Sequence, residues 1–84
     1  MLNSKLERLR KPLFEIQMYL IINGEKYTDM KADINVLELL SLLNLPKEKI
    51  AVERNKEIVP KSGYETVILQ DGDVLEIITF IGGG

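Results

Sequence analysis

The sequence has 84 residues and a mass of 9.6 kDa, which is enough for one small core and excludes a two-domain enzyme with an interdomain cleft. It contains no cysteine and no histidine, which excludes disulfides, zinc sites of the usual Cys/His type and Cys or His nucleophile–base pairs. The net charge of −2 argues against a nucleic-acid partner. The absence of a long apolar run argues against a membrane partner or span.

The first 17 residues differ in charge from the rest of the chain. They have 4 basic and 2 acidic side chains, whereas residues 18–84 have 7 and 11. Leu2, Leu6 and Leu9 have the spacing of a short amphipathic helix that ends before Pro12; a solvated extension is the alternative. The segment lacks the apolar stretch and cleavage site of a secretory signal. We therefore expect residues 1–17 to be a partly flexible extension and the protein to be cytoplasmic.

Alternating apolar residues predict a first strand up to residue 22. One face of this strand carries Phe14, Ile16, Met18, Leu20 and Ile22. The opposite face carries Glu15, Gln17, Tyr19 and Ile21. Asn23 and Gly24 then form the dipeptide that most strongly favours a tight hairpin turn. A second strand over residues 25–30 completes the predicted hairpin.

A helix is predicted over residues 36–43. Asn35 is a good N-cap, and Glu38 is three residues later, where its side chain can complete a capping box. The apolar stripe of the helix consists of Val36, Leu39, Leu40 and Leu43. Asn44 suits a left-handed helix end, and Pro46 prevents continuation.

The remaining elements are short strands and turns. Further strands are predicted over residues 50–54, 57–59 and 74–80. Asn55 and Lys56 form the turn between the first two, and residues 66–69 are ambiguous between a strand and a helical turn. Asp71, Gly72 and Asp73 favour a turn, and two carboxylates without further ligands make a poor calcium site. One helix and four or five strands predict an α+β fold in which the helix covers one face of a mixed sheet.

The first and last predicted strands also have apolar residues on the face away from the helix. If the two strands are neighbours, Tyr19, Ile21, Ile78 and Phe80 form an exposed apolar patch of the kind that binds a partner. The alternative is that the N-terminal extension covers this face, which would make the patch part of the core.

Three glycines, Gly82, Gly83 and Gly84, follow the last apolar strand. An unstructured tail is one interpretation. The other is that side-chain-free residues let the terminal carbonyl enter a narrow channel in another protein, since three extended residues span roughly 10 Å. A carboxylate becomes a reactive acyl group once ATP converts it to an acyl-adenylate.

Four segments resemble the ThiS family, the small sulfur carrier proteins of thiamine biosynthesis. They are MYLIINGEKY near the start, VLELLSLLNL in the helix, IAVERNKEIVPKS in the middle and LQDGDVLEIITFIGGG at the end. The resemblance covers residues 18–84 and leaves residues 1–17 without a counterpart. It implies a ubiquitin-like β-grasp domain over residues 18–81, with the first and last strands side by side, and a flexible glycine tail over residues 82–84.

The resemblance also implies a function for the C-terminus. An adenylating enzyme related to ubiquitin-activating enzymes, using ATP and Mg²⁺, would adenylate the carboxylate of Gly84. Sulfur from a cysteine desulfurase relay would displace AMP, and the resulting thiocarboxylate would deliver sulfur to thiazole synthase. Gly83 and Gly84 match the family's terminal pair, and Gly82 matches a third glycine of many members. The chain would thus be a carrier with no permanently bound cofactor, rather than an enzyme.

Three other functions remain open at this point. The first alternative, in the same fold, is the small subunit of molybdopterin synthase or another ubiquitin-like sulfur donor, although the segments VERNKEIVPKS and ITFIGGG favour the thiamine branch. A protein modifier joined to lysines through Gly84 is a second alternative. The third is a β-grasp binding module with an inert tail, and removal of Gly83 and Gly84 would distinguish it from a carrier.

Overall fold

The computed structural model describes residues 17–80, which form one five-stranded sheet and one α-helix. The elements are β1 (Gln17–Ile22), β2 (Glu25–Lys31), α1 (Val36–Leu42), β3 (Ile50–Arg54), β4 (Glu57–Val59) and β5 (Val74–Thr79), with short 3-10 helices at Lys47–Lys49 and Lys61–Gly63. The predictions for the N-terminal extension, for Phe14 and Ile16, and for Gly82, Gly83 and Gly84 lie outside the described residues.

The strand order in the sheet is β2-β1-β5-β3-β4. β1 and β5 are parallel, and the other neighbouring strands are antiparallel. The expected α+β arrangement, a mixed sheet with one helix, is confirmed, and so is the expectation that the first and last strands lie side by side. β5 is therefore the central strand of the sheet, with neighbours on both edges.

Both hairpins turn at an asparagine with positive φ. Asn23 and Gly24 have φ values of 50° and 83°, and Asn55 and Lys56 have φ values of 50° and 71°. Positive φ at both central residues is what a type I′ turn requires, and this turn matches the twist of the flanking strands. Asparagine tolerates the left-handed region better than most residues, which explains its place at both turns.

The helix begins at a complete capping box, as the sequence predicts. The Glu38 amide donates to Asn35 Oδ1 at 2.7 Å, and the Asn35 amide donates to Glu38 Oε1 at 2.9 Å. The helix ends one residue earlier than predicted, with Leu43 as its C-cap. Asn44 follows with φ of 58°, and the Leu45 amide donates to the carbonyl of Leu40 at 2.9 Å. The capping box and this last bond satisfy backbone groups that the two ends of the helix leave free.

The core lies between the helix and the inner face of the sheet. Its fully buried side chains are Leu20, Val36, Leu39, Leu40, Ile50, Val52, Tyr64, Leu69 and Leu75. The alternation in β1 is confirmed, since Met18, Leu20 and Ile22 are buried. Tyr64 is the one large polar side chain among them, and its hydroxyl donates to the carbonyl of Ile50 at 3.1 Å, as burial of a phenol requires.

The ambiguous segment over residues 66–69 is not one of the strands of the sheet. It makes a single bridge, between Asn35 and Ile68, and the Leu69 amide donates to the carbonyl of Ile34 at 2.9 Å. This connection covers one end of the core with Leu69, which is 1% exposed. β5 ends at Thr79, so Phe80 lies just beyond the strand that was predicted to include it.

Candidate functional site

The sheet face opposite the helix is open to solvent in the described residues. Exposed or half-buried apolar side chains on or beside it are Tyr19, Ile21, Ile58, Val74, Ile78 and Phe80. A solvated sheet face ordinarily carries polar residues at these positions. Exposed apolar residues concentrated on one face are typical of surfaces that bind a partner.

Tyr19 and Ile21 lie at one end of this face. Ile21 pairs with Val74 of β5. The backbone of Tyr19 joins β1 to the turn before β5, because its amide donates to Asp71 Oδ1 at 2.9 Å and its carbonyl accepts from Gly72 N–H at 2.8 Å. A β-bulge lies at this point of the β1–β2 ladder. These contacts hold the Tyr19 backbone in place on the open face.

The Tyr19 ring lies between Lys26 and Gly72. Lys26 Nζ is 4.6 Å from the ring centroid, a distance that allows a cation–π attraction. A Cβ atom added to Gly72 would lie 3.2 Å from the Tyr19 hydroxyl oxygen. Glycine at position 72 therefore gives the ring its space, and the Tyr19 side chain remains 37% exposed.

Ile78 and Phe80 lie at the other end of the open face. Ile78 pairs with Ala51 and is 53% exposed, and Phe80 is 56% exposed. Ile78 is four residues beyond Val74, which separates it from Ile21 by roughly 13 Å along the strand. The four residues of the predicted patch therefore form two groups at opposite ends of β5 rather than one cluster.

The two apolar groups are separated by a pair of acidic residues. Glu53 and Glu76 are directly opposite each other in the β3–β5 ladder, and Glu53 also pairs with the exposed Ile58 of β4. Like charges in directly opposed positions disfavour strand pairing. Among residues 17–80 the single ion pair joins Arg54 to Asp73, so neither glutamate has an ion-pair partner within this part of the chain.

Asp73 is a buried structural carboxylate, which the sequence did not indicate. It accepts from Arg54 Nε at 2.7 Å, from Asn55 Nδ2 at 3.0 Å and from the Gln70 amide at 2.8 Å. Burial alone would raise the pKa of Asp73, but the hydrogen bonds and the Arg54 charge outweigh it and hold that pKa below its ordinary value. The turn at Asp71 and Asp73 is confirmed, and its second carboxylate fixes the start of β5.

The last described residue is held where the chain leaves the sheet. Phe80 N–H donates to the carbonyl of Lys49 at 2.9 Å, and Thr79 pairs with Ile50. From Phe80 the chain continues through Ile81 to the glycines, so β5 connects the open face to Gly84 directly along the backbone.

Neither a metal centre nor a membrane-spanning helix is present in residues 17–80. No group of three or more metal-binding side chains is found in this part of the chain. None of its helices has the length and apolar character needed to cross a bilayer.

A model of the ThiS family matches residues 14–84. The chain belongs to the ThiS family. The sulfur carrier protein ThiS of Bacillus subtilis is 42% identical to it over 63 residues, which make up 75% of this chain and 96% of that protein. The family predicted from the four sequence segments is therefore confirmed.

Two further proteins place this ThiS-family chain in context. The crystal structure of the thiamine biosynthesis protein ThiS from Geobacter metallireducens matches with a TM-score of 0.69 and 38% identity, covering 80% of this chain and 100% of that one. The predicted β-grasp fold is thereby confirmed. A thiazole synthase of Paramagnetospirillum magneticum is 54% identical over 67 residues, or 80% of this chain. This chain spans only 20% of the length of that thiazole synthase.

Proposed function

We propose that this chain is a sulfur carrier protein of thiamine biosynthesis and that Gly84 is its sulfur-carrying residue. The observation that carries the proposal is the match to the ThiS family, which runs through the glycines to residue 84. The identity to the Bacillus subtilis sulfur carrier over 96% of that protein supports it. Similarity to a thiazole synthase favours the thiamine pathway over a role in molybdopterin synthase.

The proposed chemistry takes place at the carboxylate of Gly84. An adenylating enzyme using ATP and Mg²⁺ forms the acyl-adenylate as a carboxylate oxygen bonds to the α-phosphorus and pyrophosphate leaves. The terminal sulfur of a persulfide on a cysteine desulfurase relay then attacks the acyl carbon and displaces AMP, and a thiol cleaves the resulting acyl disulfide to release a thiocarboxylate on Gly84. The thiocarboxylate gives its sulfur to thiazole synthase. The chain supplies the acyl group in these steps, and its partners supply the catalytic groups.

The proposed role of the folded body is to dock. Tyr19 and Ile21 at one end of the open face, and Ile78 and Phe80 at the other, offer apolar surface to the adenylating enzyme or to thiazole synthase. Gly82 and Gly83 would then lead the terminal carbonyl into the partner's active site, because residues without a Cβ fit a narrow channel. Docking and chemistry would thus use different parts of the chain.

Intact-mass spectrometry tests this proposal. The chain is incubated with the adenylating enzyme and the cysteine desulfurase of its own organism, ATP, Mg²⁺ and cysteine. We expect a gain of about 16 Da, the replacement of one oxygen by sulfur, on the C-terminal peptide. A variant without Gly83 and Gly84 should keep the fold and gain no mass. An unchanged mass for the full chain, where a known carrier reacts, would contradict the proposal.

A further inference from the structure

The central strand β5 is paired to different lengths along its two edges. On one edge, β3 pairs with it as far as Thr79. On the other edge, β1 pairs with it only as far as Leu75, because β1 ends at Ile22 and the chain then turns into β2. The backbone of Ile77 therefore extends beyond the end of its neighbouring strand.

The side chain of Asn23 occupies the place that the next residue of β1 would have taken. Ile77 N–H donates to Asn23 Oδ1 at 2.7 Å, and Asn23 Nδ2 donates to the carbonyl of Ile77 at 3.1 Å. The backbone amide of Asn23 donates to the carbonyl of Leu75 at 2.9 Å. One residue thus extends the ladder by two further hydrogen bonds, made to a residue 54 positions away in sequence.

The other hairpin holds the beginning of β5 in a related way. The Asn55 amide donates to the carbonyl of Val74 at 2.7 Å, and Val74 N–H donates to Asn55 Oδ1 at 2.9 Å. Both asparagines have φ of 50° in their turns. Asn55 is therefore a control for Asn23: the same residue type in the same turn conformation, bonded to the same strand at the end away from Gly84. It differs in that its Nδ2 donates to Asp73 rather than to a carbonyl of β5.

We infer that Asn23 is a positioning residue for the reaction at Gly84, fixing the direction of β5 over the residues that precede the glycine tail. This inference rests on the proposed function. Without the side-chain carboxamide of Asn23, Ile77 and the residues after it are held along the β3 edge alone. Ile77 to Phe80 spans roughly 10 Å, so a change of about 10° in direction moves the exit point by about 2 Å. Displacements of about 1 Å can cost orders of magnitude in rate when reacting groups must meet.

The first test compares amide hydrogen exchange in the isolated wild-type chain with that in the variants Asn23→Gly and Asn55→Gly. Glycine adopts the left-handed conformation of these turns without strain, so each variant loses side-chain bonds while keeping its turn. Rates are normalised to the Leu39 amide, which donates to the carbonyl of Asn35. In Asn23→Gly we expect exchange about tenfold faster at Ile77 and at least about threefold faster at Phe80. In Asn55→Gly, Phe80 should exchange at the normalised wild-type rate.

Steady-state adenylation, followed as pyrophosphate release, is the second test. Asn23→Gly should lower kcat about tenfold with KM unchanged, because the open face still docks. Asn55→Gly should retain the wild-type kcat and KM once the folded fraction is matched. Asn23→Asp keeps the acceptor for Ile77 N–H and loses the donor to the Ile77 carbonyl, so its kcat should fall between those of the wild type and Asn23→Gly.

The two tests separate failure of this inference from failure of the proposed function. An unchanged Phe80 exchange rate in Asn23→Gly, or equal kinetics for Asn23→Gly and Asn55→Gly, would overturn the role of Asn23. If the adenylating enzyme released no pyrophosphate with the wild-type chain, the sulfur-carrier function would be contradicted instead. The hydrogen-exchange rates would still decide whether Asn23 fixes the direction in which β5 leaves the sheet.

Discussion

Replacing Asp73 with asparagine changes one oxygen of a buried carboxylate into an NH₂ group. That carboxylate accepts three hydrogen bonds, from Arg54, Asn55 and the Gln70 amide. Its side chain is only 8% exposed, so water cannot readily replace a lost partner. In the variant, the new NH₂ group is a donor that faces another donor, so it cannot accept the hydrogen bond that the carboxylate oxygen accepted. At least one donor of the network is then left without a partner.

The expected cost follows from these bonds. A hydrogen bond to a charged group contributes about 1.5–3 kcal/mol, and a buried donor left unsatisfied costs about 1–3 kcal/mol. We expect Asp73→Asn to lower the free energy of unfolding by about 2–4 kcal/mol, since the remaining side-chain oxygen still accepts one or two bonds. For a domain of this size, that is a large part of the total stability.

Urea denaturation as a function of pH measures both the size and the origin of this effect. The pKa of Asp73 is lowered in the folded state from a reference of 3.8. Its contribution to stability is therefore present above the reference pKa and is lost as the pH falls through the lower folded-state pKa. Wild-type stability should fall over this acidic range, and the stability of Asp73→Asn should change less over the same range.

The control is Asp71→Asn in the same turn. Asp71 is exposed and accepts one hydrogen bond, from the Tyr19 amide, so its replacement should cost less than about 1 kcal/mol. If Asp73→Asn cost no more than Asp71→Asn, or if it showed the wild-type loss of stability in acid, the argument from the buried network would be refuted.

Two further predictions concern the open face. Gly72→Ala and Gly24→Ala both place a Cβ at a residue with φ of 83°, but only the Cβ of Gly72→Ala lies 3.2 Å from the Tyr19 hydroxyl oxygen. Thermal unfolding should therefore show a loss of stability that is larger for Gly72→Ala by about 1 kcal/mol. Equal losses of stability would mean that the Tyr19 ring moves aside freely. Ile78→Asp should weaken binding to the adenylating enzyme about tenfold or more with little change in Tm. Leu42→Asp, at an exposed apolar position on the helix (64% exposed against 53% for Ile78), should leave binding unchanged. A collapse of the fold in Ile78→Asp would instead mean that this face is covered in solution.

Local features of this chain could be predicted because each depends on neighbouring residues. The capping box of Asn35 and Glu38, the turn at Asn23 and Gly24 and the left-handed Asn44 all depend on backbone preferences within a few residues, and all are confirmed. The alternation of buried residues in β1 is of the same kind. These signals establish which elements exist but not how they pair in space.

What the sequence did not predict depends on register and on distant contacts. The split of the open-face residues into two groups follows from the pairing of Ile21 with Val74, and strand periodicity contains no information about register between distant strands. The burial of Asp73 depends on Arg54, 19 residues earlier. The second role of Asn23 was hidden because an Asn-Gly turn already accounts for asparagine at that position.

The position of β5 in the sheet suits the function proposed for this chain. The strand that continues into the glycine tail is central, its inward side chains Leu75 and Ile77 are buried, and β1 and β3 flank it. The edge strands β2 and β4 can fray without releasing it, because local opening concentrates where backbone hydrogen bonds are exposed. A carrier gains from this arrangement, since the tail then starts from a fixed point relative to the surface on which the partner docks. The asparagines at the two hairpin turns bond to this central strand at either end, and only Asn23 does so on the side that leads to Gly84.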